Sequence, residues 1–154
     1  MSYRRIFFWI CRHFRANLIG LKPIAYICLS NIINMIILIK CLIGFIAFLH
    51  LYFLYLEMFA WTTRGPKVFK SLPKESFEAT KVMAGNQGLY NGFLAAGLIW
   101  SLCISDMVWA KNVSMFFLIC VAVAGLYGAM TASKRIFFIQ ALPAIIALIL
   151  ILIV

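Results

Sequence analysis

Charge is scarce in this chain, and acid is scarcest. Four Asp and Glu stand against 14 Lys and Arg in 154 residues, and charged residues make up 12% of the whole. Soluble domains carry about 25% charged and about 45–50% apolar residues; here the apolar share is 66%. At this length, about one domain, no interior is large enough to hide so much apolar surface. That excludes a water-soluble globule and makes lipid the solvent for much of the chain. Paired cysteines are lacking as well. Cys11, Cys28, Cys41, Cys103 and Cys120 stand singly, with no CxxC and no Cys/His cluster. This excludes a disulfide framework and a metal site; buried free thiols behave as small hydrophobes. No cofactor is expected. The first apolar stretch lacks the small-residue cleavage site of a secretory signal.

The basic excess, a formal charge of +10, would suggest nucleic acid in a soluble protein. Here the cations lie between apolar runs, where residues facing anionic headgroups belong, so nucleic acid is not an expected partner. Residues 1–34 alternate Arg4, Arg5, Arg12 and Arg15 with Ile6, Phe7, Phe8, Trp9 and Phe14, a pattern suited to a membrane surface. No Gly/Pro/Asn turn cluster separates Ile24–Ile39 from the apolar run that follows. Residues 1–34 are therefore expected to form an interfacial helix or an extension of the first span, with Met35 an alternative native start, and residues 35–154 to form the membrane domain.

Four spans are expected, at about 36–59, 81–105, 112–131 and 136–154, giving an all-α, four-helix transmembrane bundle. Lys40 can snorkel at the start of the first, and Trp61 marks its far interface. Between spans one and two lies a polar connector, Thr62–Thr80, in which Gly65-Pro66 and Pro73 interrupt any helix; Pro73, Glu75 and Glu78 suit the start of a short surface helix. Asp106–Lys111 reads as a loop and Ser133–Arg135 as a basic turn. Gly88, Gly92 and Ala96, then Ala124, Gly128 and Ala132, form small-residue stripes that let helices approach, and they offer faces for a second copy of the chain. The connectors after spans one and three carry Arg64, Lys67, Lys70, Lys74, Lys81, Lys134 and Arg135. The opposite side has Lys111, with Lys40. The positive-inside rule places the connectors in the cytoplasm and both termini outside. Counting the cations of residues 1–34 makes the two sides nearly even.

Sorted by depth at about 1.5 Å per residue, the polar residues of the spans collect at the connector end. Glu57 lies four residues before Trp61, and His50 seven residues deeper on the same face. Asn86, Gln87 and Asn91 open span two, Tyr127 lies near the end of span three, and Gln140 near the start of span four. An ionisable group inside a span costs about 2.5–3.5 kcal/mol on insertion scales, which makes it a candidate functional site. His50 and Glu57 are the candidate acid/base pair, and Asn86, Gln87, Asn91, Tyr127 and Gln140 the candidate ligand-binding groups. The same residues are equally read as interhelical hydrogen-bond glue. Pro143, which lacks a backbone donor, leaves the carbonyl of Ile139 in want of a partner that Gln87 or Tyr127 is placed to supply.

Several of these stretches carry a resemblance: HLYFLYLEMFAW (His50–Trp61), KVF (Lys67–Phe69), NQGLYNGFLAAGLIW (Asn86–Trp100), AGLYGAMT (Ala124–Thr131) and QALPAIIALIL (Gln140–Leu150). In this order the chain from about Met35 resembles the small bacterial membrane proteins of domain of unknown function 1304. The resemblance implies four membrane helices in the cytoplasmic membrane and brings no catalytic residue with it. Two functions stand: a non-enzymatic, lipid- or partner-binding membrane protein, or a membrane-embedded enzyme or carrier for a hydrophobic ligand that uses the His/Glu/Asn/Gln cluster. A sealed, fully paired cluster favours the first, and a cavity opening to the cytoplasmic leaflet favours the second.

Overall fold

Long uninterrupted apolar runs have one way to satisfy their backbone within themselves, and the chain takes it. The computed structural model describes residues 22–70 and 72–154, and every regular element among them is helical. They comprise α1 (Lys22–Phe59), α2 (Trp61–Val68), α3 (Lys74–Ala79), α4 (Lys81–Cys103), α5 (Met107–Thr131), a π-helical turn (Phe137–Ala141) and α6 (Leu142–Ile153). Two stretches, Tyr26–Phe59 and Met107–Thr131, are long and apolar enough to cross a membrane; Phe137–Ile153 is apolar but shorter. The compact unit that holds the site runs from Ile37 to Val154, and residues up to Ile36 form a separate unit. The basic, aromatic segment expected at residues 1–21 lies outside the described residues.

No break occurs near Ile36, as in the second of the two expected arrangements, an extension of the first span: α1 is 38 residues long. Two boundaries differ from the sequence expectation. The Asp106–Lys111 stretch is not a loop. The Asp106 carboxylate accepts from the Val108 and Trp109 N–H groups at 3.0 and 2.9 Å, capping α5 so that it starts at Met107. Nor does Gly65-Pro66 end a helix, since Pro66 lies inside α2. The glycine there is a packing device. A Cβ at residue 65 would lie 2.9 Å from the ring of buried Phe77 in α3. Trp61 packs on that ring at a tilt, with centroids 5.1 Å apart, and its indole N–H donates to Thr80 Oγ1 at 3.1 Å.

The helices of the unit pack closely. Ile43, Ile46 and Ala47 of α1, Leu98 of α4, Leu118 and Val121 of α5, and Ala144 and Ala147 of α6 belong to one buried cluster. Small residues set the closest approaches. Gly88 meets α1 backbone directly: a Cβ there would lie 3.0 Å from the Met58 nitrogen and 3.2 Å from the Leu54 oxygen. Gly125 lies so near the π-turn that a Cβ would come within 2.6 Å of the Ala141 nitrogen. The expected stripes hold in part: Gly88 is buried and Gly92 and Gly128 are half-buried, whereas Ala96, Ala124 and Ala132 are exposed and their neighbours Ala95, Ala122 and Gly125 are buried. At about 100° per residue, a stripe chosen one position off faces away.

The last apolar run is not a uniform helix. Pro143 has no N–H to give Ile139, and its ring crowds the preceding turn. The chain responds with the π-turn, in which the Leu142 N–H reaches back five residues to the Phe137 oxygen.

Candidate functional site

Glu57 ends the last turn of α1, on the face that meets Gly88. The missing side chain at 88 brings α4 close enough for its neighbours to reach the carboxylate, whose Cβ would lie 3.1 Å from a Cβ on residue 88. Gln87 Nε2 donates to Oε1 at 3.2 Å and Asn91 Nδ2 to Oε2 at 2.7 Å. Asn91 is itself steadied by a bond to the Gln87 carbonyl, one turn back, at 3.3 Å. Glu57 is 8% exposed. Both carboxylate oxygens have amide partners, so the cluster is paired across two helices.

His50 lies two turns deeper and is fully buried. Its Nδ1 is 2.8 Å from the Ile46 carbonyl. A carbonyl can only accept, so Nδ1 carries the proton in this bond. The ring meets Phe53 edge to face, with centroids 5.7 Å apart. Nε2 is the one buried side-chain nitrogen or oxygen without a partner among the described residues. His50 is thus bonded within its own helix, and the Glu57 oxygens are occupied by α4.

The remaining sequence candidates do not join Glu57. Asn86 is exposed. Tyr127 is 66% exposed: two residues beyond Gly125, it is turned about 200° from the face that packs on the π-turn. Gln140 is half-buried within the π-turn. The expected help for the Ile139 carbonyl from Gln87 or Tyr127 is not arranged, because Gln87 is committed to Glu57 and Tyr127 faces outward.

Sequence reasoning missed an apolar groove of about 440 Å³ between α1 and the last helical stretch. It is lined by Phe45 and Leu49 on one side and by Phe138, Ile139, Leu142, Pro143 and Ile146 on the other. Pro143 was the available signal: it forces the π-turn, and three lining residues lie within or beside that turn.

The model of a family described as "Protein of unknown function (DUF1304)" matches residues 44–152, which include His50, Glu57, Gln87, Asn91 and the groove. The chain is also similar to the uncharacterized protein YpaA of Lactococcus lactis subsp. lactis (strain IL1403), at 34% identity over 100 residues, covering 64% of this chain and 82% of that protein. No solved structure matches the chain.

Proposed function

Since the chain belongs to the DUF1304 family, whose description assigns no activity, we propose from its own geometry that it is a four-span protein of the cytoplasmic membrane that binds lipid. The groove carries this reading. All seven of its lining side chains are apolar, which suits an acyl chain and offers nothing to a polar substrate. The outer faces of the helices support the membrane setting. Phe48, Phe93, Trp100, Phe116 and Leu152 are all exposed, far more apolar surface than a soluble monomer presents to water. With α1, α4, α5 and the stretch from Phe137 to Ile153 as the spans, the amides of α4 lower its hydropathy, and two of the three, Gln87 and Asn91, are spent on Glu57. The paired Glu57 cluster acts as interhelical glue.

Native mass spectrometry of the full chain, extracted in lipid-preserving nanodiscs, tests the reading. A phospholipid should remain bound through detergent exchange, and Ile146→Trp, which fills the groove, should release it. A wild-type protein that retains no lipid, or an Ile146→Trp variant that retains as much, would overturn it.

One observation favours the second reading, an enzyme or carrier for a hydrophobic ligand. The unpartnered Nε2 of His50 is a buried polar atom of the kind a ligand donor would satisfy. That reading requires a co-purifying small molecule other than phospholipid, lost in His50→Leu.

A further inference from the structure

We propose that the lipid in the groove is an anionic glycerophospholipid whose phosphate pairs with Lys134 and Arg135. The inference rests on the lipid-binding reading above and adds the headgroup. The wall formed by the last helical stretch runs from Phe138 to Ile146. Eight residues rise about 12 Å, less than half of the ~30 Å hydrocarbon core. That wall fits within one leaflet, and it begins at the end nearest the basic turn before Phe138. Three residues before Phe138 stands Arg135, with Lys134 beside it. Both are exposed in the turn that joins α5 to the π-turn. An acyl chain lying along Phe138, Leu142 and Ile146 brings its headgroup to this turn.

Among the described residues no carboxylate forms an ion pair with Lys134 or Arg135, and none lies on the turn that carries them. Of the four carboxylates in the chain, Glu57 is bonded to Gln87 and Asn91 and Asp106 caps the opposite end of α5. Glu75 and Glu78 belong to the other connector. Arginine offers a planar fork that matches two phosphate oxygens, and lysine adds a point charge. A phosphocholine headgroup carries its own ammonium and cancels most of that attraction. A phosphatidylglycerol headgroup does not.

The test is competition. The full chain is equilibrated with vesicles of equal phosphatidylglycerol and phosphatidylcholine, and retained lipid is read by native mass spectrometry. The wild type should retain phosphatidylglycerol over phosphatidylcholine by about thirtyfold, the scale expected for two basic residues at an anionic surface. In the Lys134→Gln/Arg135→Gln double variant total retained lipid should persist while the preference falls toward one. Lys67→Gln/Lys70→Gln, on the other connector, should keep it. Sodium chloride should weaken the preference of the wild type, a readout that needs no variant to fold. Equal retention by the wild type, or a preference that survives both the double variant and salt, would overturn the anionic inference and leave lipid binding standing. A wild type that retains neither lipid would remove the reading underneath.

Discussion

At residue scale the structure turns on how few atoms separate the helices. Glu57 is held because residue 88 has no side chain, and that allows two direct contrasts. In Glu57→Leu the amides of Gln87 and Asn91 lose their acceptors. An orphaned buried polar group costs about 1–3 kcal/mol; with Asn91 half-buried and Gln87 exposed the loss should lie at the low end, and the midpoint of denaturant unfolding in detergent should fall. Glu57→Gln, which keeps one carbonyl acceptor, should fall less. Equal and negligible shifts would mean that the carboxylate is solvated rather than tied to α4. The glycines give the second contrast. Nothing lies within 4 Å of a Cβ at Gly85, whereas at Gly125 the obstruction is Ala141 backbone. Gly85→Ala should therefore be neutral or stabilising, by up to about 1 kcal/mol from helix propensity. Gly125→Ala must push the π-turn away and should lower the melting temperature; a variant as stable as wild type would contradict the close approach.

The first connector shows how an element is built from one buried ring. Phe77 is 2% exposed and packs against Gly65 and Trp61, while Phe69 leans on Trp61 with centroids 5.4 Å apart. Neither α2, with 8 residues, nor α3, with 6, is long enough to hold itself helical in water. Phe→Ala in a packed core costs about 3–5 kcal/mol, more than two such short helices can supply. Phe77→Ala should loosen the connector without unfolding the spans. Trypsin should then cut at Lys70 and Lys74 much faster than in wild type, with the fragments staying associated in detergent. An unchanged cleavage rate would show that the aromatic contacts are not what orders the connector. The same logic applies to the start of the chain. The compact unit begins at Ile37, so Met35–Val154 expressed alone should insert and melt as a cooperative unit; failure to insert would give residues 1–34 a necessary role.

For the whole molecule the open quantity is orientation, which charge decides and packing does not. On the proposed topology the exposed cations of the two connectors, Arg64 through Lys81 with Lys134 and Arg135, face the cytoplasm. Lys74→Cys, in a chain with its native thiols replaced, should react with an impermeant maleimide only after cells are opened. Labelling from outside intact cells would reverse the orientation and move the groove to the outer leaflet, where anionic phospholipid would have to be sought.

Composition and run length determined the element type and pointed to the solvent: 66% apolar residues in long runs suit lipid, where a helix satisfies its backbone within itself. The depth of Glu57, Gln87 and Asn91 followed from counting residues to the nearest polar connector, which is why their common level was legible. Rotation was not. Whether Asn91 or Asn86, Gly125 or Ala124, turns inward depends on about 100° per residue and on which face the neighbouring helix occupies, and a chain apolar on every face carries no amphipathic signal to say so. Gly65 read as a breaker because the ring it shelters, Phe77, is twelve residues on. The groove needed two walls, Phe45 and Leu49 from α1 and Phe138 to Ile146 from the far end of the chain. Their meeting is a property of the packing of α1 against the last helix, which no local stretch of sequence contains.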